Sequence, residues 1–441
     1  MRLPSAIWAL TAGIVGLSAT ATGLDFFQES RDFEVYFAAA HRLFNGAVVH
    51  RAEPNAFTYP TFAALLYSPL YFPGFETGRV LLFISMLGAS ALGCWLFARA
   101  LVPPAVPSWI VCLSLLLSLR PFMSAFGNQQ SDCFVFLCIA IAALGITQRK
   151  WSGPTALGFA VAIKANPLFL ILVPGFRGRW RDCVFMLGVA VSLVLLPDLL
   201  RLGGVIAGGD SFVATGSPVT HASTTLSVNA NIDVTADGAR TNDAGPLAFD
   251  HERANDSTLG YLREHISLTA RSQDEDSWWS QPANHLNQAL TRISQHYWSI
   301  WNPSGGPTTA VFFIFWCVVF AVVLRLLSTR QTIRIEELLI LAYGAFVLIG
   351  PVSSKPHFVA VFPLLLILFL EIHRRKSKLL LALALAGCFG VSLTGGTVVK
   401  HIYRSNPEEL GQAGTVGVSF AALWVLTALL LWTRKYVKHE S

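Results

Sequence analysis

Apolar residues run along the chain in blocks separated by short polar and basic stretches. The blocks cover approximately Ala6 to Leu24, Arg79 to Leu101, Val106 to Leu119, Ser131 to Thr147, Gly153 to Pro174, Cys183 to Leu199, Thr308 to Leu327, Glu337 to Pro351, Phe358 to Ile372, Leu379 to Gly395 and Val416 to Trp432, with a shorter one from Phe57 to Phe72. A helix needs about 20 apolar residues to cross the hydrocarbon of a bilayer, and most of these blocks approach that length. The pattern predicts an all-α polytopic membrane bundle, with 1–441 as a single transmembrane domain. Two blocks fit poorly: Val106 to Leu119 is short for a span, and Gly153 to Pro174 is interrupted by Lys164, Asn166 and Pro167. Arg2 followed by an apolar run ending in Ser18, Ala19 and Ala21 also matches a cleaved leader. Retention as a first helix is the expectation, because it would anchor the polar stretch that follows.

The basic residues give an orientation. They cluster as Arg149 and Lys150; Arg177, Arg179 and Arg181; Arg325, Arg330 and Arg334; Arg374, Arg375, Lys376 and Lys378; and Arg434, Lys435 and Lys438. Loops rich in Lys and Arg face the cytoplasm. For the Arg149 and Arg177 groups to share that side, the chain between them must enter and return as two half-helices hinged at Lys164-Ala165-Asn166-Pro167. A non-helical turn at membrane depth is tolerated only against protein or a water-filled cavity. Residues 25–78, 120–130, 201–307, 351–357 and 396–415 then fall on the outer side. In the first outer loop, 25–78, apolar positions Phe33, Tyr36, Phe37, Ala40 and Phe44 recur at helical spacing, as in a helix lying in the interface. The long outer loop, 201–307, is polar and reads as mobile up to about Ser257. Beyond Leu259 it gains periodic apolar positions, with Trp278, Trp279, Tyr297, Trp298 and Trp301 suited to the membrane interface or to stacking on a sugar.

Composition supports the membrane reading. Hydrophobic residues make up 53% of the chain and charged ones 13%, with a mean hydropathy of +0.53, against about 25% charged residues in ordinary soluble domains. The net charge of +6 sits mostly in short loops, so it reads as a topology signal. Membrane lipid is the expected partner and nucleic acid is not. The seven cysteines lie within or beside apolar segments, which argues against a disulfide framework or a zinc site. No GxGxxG, Walker loop or HExxH occurs in a supporting context. Asp274-Glu275-Asp276 could bind a divalent ion, but an acidic surface stretch is common, and no metal or cofactor is expected.

Some residues invite chemistry, each with a plainer alternative. Asp32 sits where a helix N-cap or first-turn acid would; it could equally be a carboxylate at the membrane surface that deprotonates an acceptor hydroxyl. Arg120, Asn128 and Gln129, in the stretch from Arg120-Pro121 to Gly127-Asn128-Gln129-Gln130 before Asp132, could bind sugar hydroxyls and phosphate, or simply form a polar turn. Lys164 is an ionisable group within an apolar block, a functional hypothesis by default, with snorkelling to the surface as the alternative. His357, in Gly350-Pro351-Val352-Ser353-Ser354-Lys355-Pro356-His357, could join Lys355 in clamping a phosphate, or serve structure alone.

The order of these features resembles the polyprenol-phosphate-mannose-dependent mannosyltransferases of glycosyltransferase family 87, which have the multi-span GT-C architecture. The matching stretches are Asp32-x-x-x-Tyr36-x-x-Ala39-Ala40-x-x-Leu43-x-x-Gly46, Phe57-Thr58-Tyr59-Pro60-x-Phe62-Ala63, Gly127-Asn128-Gln129, Lys164-x-x-Pro167, Asn287-Gln288-Ala289-Leu290, and the turn from Pro351-Val352-Ser353 to His357. The resemblance implies that Asp32 is the general base. It also implies a donor site drawn from His357, Lys355, Lys164, Arg120, Asn128, Gln129, Tyr59, Asn287 and Gln288. The implied substrates are a polyprenyl phosphate sugar, mannose by analogy, and a lipid or glycan acceptor. The implied location is the bacterial inner membrane, with the site on its outer side. A transporter or flippase for a lipid-linked sugar is the rival, since it too could use a hinged half-helix pair and an intramembrane lysine.

Overall fold

The computed structural model describes residues 5–28, 32–45, 49, 57, 59–206, 289–301, 309–350, 355–392 and 415–434. Among these residues the chain is helical and has no strand. In chain order the helices are α1 (Ser5–Gln28), α2 (Asp32–Phe44), α3 (Thr61–Tyr71), α4 (Phe75–Leu101), α5 (Trp109–Gly127), α6 (Asp132–Thr147), α7 (Ser152–Ile163), α8 (Leu172–Phe176), α9 (Trp180–Leu202), α10 (Leu290–Trp301), α11 (Thr309–Ser328), α12 (Ile335–Ile349), α13 (Val361–Arg375), α14 (Lys378–Ser392) and α15 (Thr415–Trp432). Two 3₁₀ segments, Asn166–Ile171 and Lys355–Ala360, precede α8 and α13. By length and composition, six of the described helical segments are long and apolar enough to cross a membrane.

Contacts between distant segments define two ends of the bundle. At one, the loop end, the Phe26 carbonyl accepts from Arg79 Nη2 at 2.9 Å and from Gln129 Nε2 at 2.8 Å, tying α1, the start of α4 and the α5–α6 turn together. At the other, the basic end, Arg325 Nη1 donates to Phe176 O at 2.8 Å, and Arg334 Nη2 to Leu101 O at 3.1 Å. Arg179 Nη1 donates to Ile146 O at 3.2 Å, and Arg434 Nη1 to Thr332 O at 2.9 Å. The arginine clusters expected to share one side therefore do share one end.

The hinge around Lys164 is formed as the interruption of that apolar block predicts. Helices α6 and α7 form an antiparallel hairpin whose turn closes only over small residues: a Cβ on Gly145 would stand 2.5 Å from the Gly153 nitrogen. Helix α7 ends where Lys164 turns extended, with φ −146° and ψ 112°. Pro167 then opens the 3₁₀ segment, in a first-turn position where its missing N–H costs no hydrogen bond. The rises match: α7 climbs about 18 Å, and the 3₁₀ segment with α8 descends about 20 Å. The chain thus returns to Arg177 and Arg179 at the end it left.

One expected boundary is wrong. Residues 120–127 belong to α5, which runs through Pro121 to Gly127; the outer turn is only the stretch from Asn128 to Ser131. Membrane helices accommodate proline when neighbouring groups satisfy the freed backbone, and the carbonyl concerned here is that of Leu117, one turn before Pro121. The helix closes with a six-residue hook, Gln130 N to Ala125 O at 3.1 Å, with Gln129 in the left-handed region at φ 57°.

The core follows α13. Every residue from Val361 to Ile372 is buried, as is every residue of α12 from Glu336 to Ile349. Helices α9 and α11 instead turn Val184, Leu187, Val191, Phe315 and Val318 outward, the face expected against lipid. Between membrane helices packing must come from close fit, not from expulsion of water. Gly93 supplies such a fit, since a Cβ there would stand 2.6 Å from the Phe136 ring.

Charge inside this apolar body is confined and paired. At the basic end Glu336, Glu337 and Glu371 are each 2% exposed. Arg434 donates to both oxygens of Glu337 at 2.9 Å and to Glu371 Oε1 at 2.8 Å, while Arg334 meets Glu336 and Glu337, and Arg374 meets Glu371. Burial alone would lower the Arg434 guanidinium pKa, but its hydrogen bonds and charge contacts to the two glutamates turn the shift upward.

Candidate active site

Helix α2 forms because its apolar positions fall on one face: Phe33, Tyr36, Ala39, Ala40 and Leu43 are buried, while Glu34 and His41 are exposed. Asp32 opens this helix, half-buried, in the first-turn position where an acid is favoured by the helix dipole. The face of α2 that carries Tyr36 rests on α3, with the Tyr36 and Tyr67 rings stacked at 4.2 Å. Tyr36 Oη donates to Tyr59 Oη at 3.1 Å. Burial raises the Tyr59 phenol well above its ordinary range, and the nearby charges of Asp32 and Asp132 push it further. Tyr36 is raised for the same first reason, with Asp32 adding to it. Both stay neutral hydroxyls near neutral pH, and the charges of Asp32 and Asp132 both act on Tyr59.

Asp132 is the centre of the second half of the site. It begins α6 and is 4% exposed. Lys164, delivered by the end of α7, places Nζ 3.1 Å from each of its carboxylate oxygens. His357, on the 3₁₀ turn before α13, places Nε2 at 4.0 Å from Oδ2. The Lys164 ammonium also lies over the Tyr59 ring, 5.8 Å from its centroid. The long stem of Lys164 could have carried its charge to water, but the group is only 8% exposed. Such a buried ion is tolerated in a low-dielectric interior only with a partner in good geometry.

Two hydroxyls here keep spare capacity. Tyr67 Oη and Ser131 Oγ are buried and have no hydrogen-bond partner of good geometry. Ser131 is the N-cap residue of α6, yet it makes no capping bond, although a serine there ordinarily would. A cavity of about 340 Å³ begins beside them, walled by residues including Leu66, Tyr67, Leu70, Phe134, Leu137 and Ile163. Its lining is almost wholly apolar, and it runs between α3, α4, α6 and α7.

The expected site residues divide accordingly. Asp32, Tyr59, Lys164 and His357 gather at one end of the bundle although 325 positions separate the first from the last (357 less 32). Lys355 shares the 3₁₀ turn with His357. Gln129 and Asn128 are accounted for by structure: Gln129 is fully buried and holds the Phe26 carbonyl, and Asn128 Nδ2 donates to Ser124 O at 2.8 Å within its own helix. Arg120 is half-buried on α5, about two turns before Asn128. Asn287, Gln288, Thr58, the Pro351-Val352-Ser353 turn and the Asp274-Glu275-Asp276 run lie outside the described residues, as do Trp278, Trp279 and residues 207–257 of the long outer loop. Among the described residues no group of His, Cys, Asp and Glu could hold a metal ion. Asp132 is the site residue the sequence reading passed over. Its signal was present, since it is the lone charged residue in the apolar run from Asp132 to Thr147.

Residues 57–240 match the model of glycosyltransferase family 87. The matched segment includes Tyr59, Tyr67, Ser131, Asp132 and Lys164. No curated protein and no solved structure matches the chain. Over that segment the chain is similar to the glycosyltransferases of this family, and its spanning-length helices fit an integral membrane protein.

Proposed function

We propose that the protein is an inverting glycosyltransferase that moves a sugar, mannose by analogy, from a polyprenyl phosphate donor to a hydroxyl of a lipid or glycan acceptor at the outer membrane face. The observation that carries the reading is the convergence of Asp32, Tyr59, Lys164 and His357 around Asp132, beside an apolar cavity. A polyprenyl tail does not leave the bilayer, so its phosphate must be met from the side, where an apolar groove adjoins polar groups. Lys164 and His357 are suited to hold the phosphate, and the cavity beyond Tyr67 to receive the first part of the tail. Asp32, half-buried at the start of α2, takes the proton of the acceptor hydroxyl. The acceptor oxygen bonds to the anomeric carbon as the bond from that carbon to the phosphate oxygen breaks. The electron pair leaves with polyprenyl phosphate, whose charge the ammonium and imidazole balance. Attack opposite the leaving group inverts the anomeric centre, so a β-linked donor gives an α-glycoside. A single lipid phosphate asks for less neutralisation than a pyrophosphate, in keeping with a site built on cationic side chains.

The test supplies membranes containing the protein with labelled polyprenyl phosphomannose and follows label into a new glycoside. Transfer by the wild type that falls by orders of magnitude in Asp32→Asn is the expected result. Transfer at the wild-type rate in that variant would remove the general-base assignment. Movement of lipid-linked sugar across vesicles with no new glycosidic bond would replace the enzyme with a transporter.

A further inference from the structure

We infer that Asp132 is a positioning residue for the donor phosphate, fixing Lys164 and His357 in place, and is not a second base. The inference rests on the donor reading above and adds to it the group on which the phosphate contacts depend. Lys164 lies at the break after α7 and His357 on a 3₁₀ turn, so neither is held by a regular helix at the point where it is needed. Asp132, by contrast, is the first residue of a helix of 16 residues and is buried on that helix's own packing surface. It is the partner that Lys164 and His357 share: both of its oxygens contact Lys164 at 3.1 Å, and Oδ2 stands 4.0 Å from His357 Nε2. A carboxylate so engaged is a poor proton acceptor for an incoming hydroxyl, whereas half-buried Asp32 can reach one.

The neighbouring hydroxyls locate where the ligand would lie. Ser131 Oγ and Tyr67 Oη are buried close to one another, Ser131 next to Asp132 in the chain, and neither makes a well-formed hydrogen bond. A phosphate facing Lys164 and His357 would find those two donors already in place. Asp132 opposes the phosphate in charge but holds the cations in register, and the second effect is the one this geometry favours.

The experiment titrates a short-chain polyprenyl monophosphate into purified protein in nanodiscs, for the wild type, Asp132→Asn, Asp132→Glu, Lys164→Gln and the Asp132→Asn/Lys164→Gln pair. Displacing a positioned group by about 1 Å commonly costs around a hundredfold, so Asp132→Asn should bind at least about tenfold more weakly. Asp132→Glu should recover most of that loss. The double variant should bind no worse than Lys164→Gln alone, since Asp132 acts through the lysine. In turnover, Asp132→Asn should raise the donor KM more than it lowers kcat. Tighter binding by Asp132→Asn, as expected if the carboxylate merely competes with phosphate for Lys164, overturns the inference. So do losses that multiply in the double variant, or a fall in kcat at constant KM. A melting temperature measured for each variant separates misfolding from lost positioning, and if Asp132→Asn does not fold, Asp132→Glu and the double variant carry the same comparison. A wild type that binds no polyprenyl phosphate removes the donor assignment itself, whereas wild-type affinity retained in Asp132→Asn removes only this inference.

Discussion

Two buried polar clusters flank the central helix α13, and they are built differently. Glu371 near its end belongs to the basic cluster, and His357 just before its start belongs to the candidate active site, about 21 Å away along the helix. At the basic end three glutamates meet three arginines, and Arg434 alone bonds to Glu337, Glu371 and the Thr332 carbonyl. At the loop end a single carboxylate is shared between Lys164 and His357, with the buried hydroxyls of Tyr67 and Ser131 nearby. The first arrangement pairs each carboxylate with arginine and, among the described residues, contains no tyrosine or histidine, though Glu336 Oε1, Arg434 Nε and Thr332 Oγ1 still lack a hydrogen bond. The second sets one carboxylate against a lysine and a histidine near an apolar cavity, and that setting distinguishes a place for a ligand from a clasp between helices.

Asp32→Asn should draw the sharpest line between the clusters. Loss of a general base is expected to reduce transfer by about 10²- to 10⁴-fold, with no change in the melting temperature of the purified protein. Arg434→Ala should do the reverse. It leaves Glu337 and Glu371 buried without their shared partner, a loss of about 3–5 kcal/mol, read as a lower melting temperature, while the folded fraction keeps its donor KM. A smaller effect is expected for Gln129→Ala. Phe26 O keeps its bond from Arg79, so denaturant titration should show a loss of about 0.5–1.5 kcal/mol, the net worth of one hydrogen bond. Tyr36→Phe should be the mildest, removing the bond to Tyr59 at a similar or lower cost and changing transfer by less than about tenfold. A stability loss in Asp32→Asn as large as that in Arg434→Ala would erase the distinction.

Much of this was legible in the sequence, for a physical reason. A charged residue inside an apolar block must be paired or functional, so Lys164 stood out, and its separation from Pro167 gave the hinge. Asp32 and His357 entered as candidates through the family resemblance, because spacing alone suited a helix cap and a structural histidine equally well. Asp132 looked like an ordinary acid at a helix start, because nothing local reveals that α7 brings a lysine back to it across 32 positions. Gln129 looked like a ligand for the converse reason: its partner is a carbonyl 103 residues away. The arginines of the basic end were read correctly as sharing one end, yet their pairing with Glu337 and Glu371 depends on how α12, α13 and α15 come together, which no single segment encodes. Helix α5 was cut short in the reading because its apolar run stops at Leu119, whereas the helix continues through Arg120 and Pro121 to Gly127.

The enclosure of α13 along nearly its whole length works as a gauge rod. Inserting or deleting one residue between His357 and Glu371 would turn one end against the other by about 100° and slide it about 1.5 Å, so clasp and phosphate clamp could no longer be satisfied together. That stretch should therefore accept many exchanges among apolar side chains while refusing any change in its residue count.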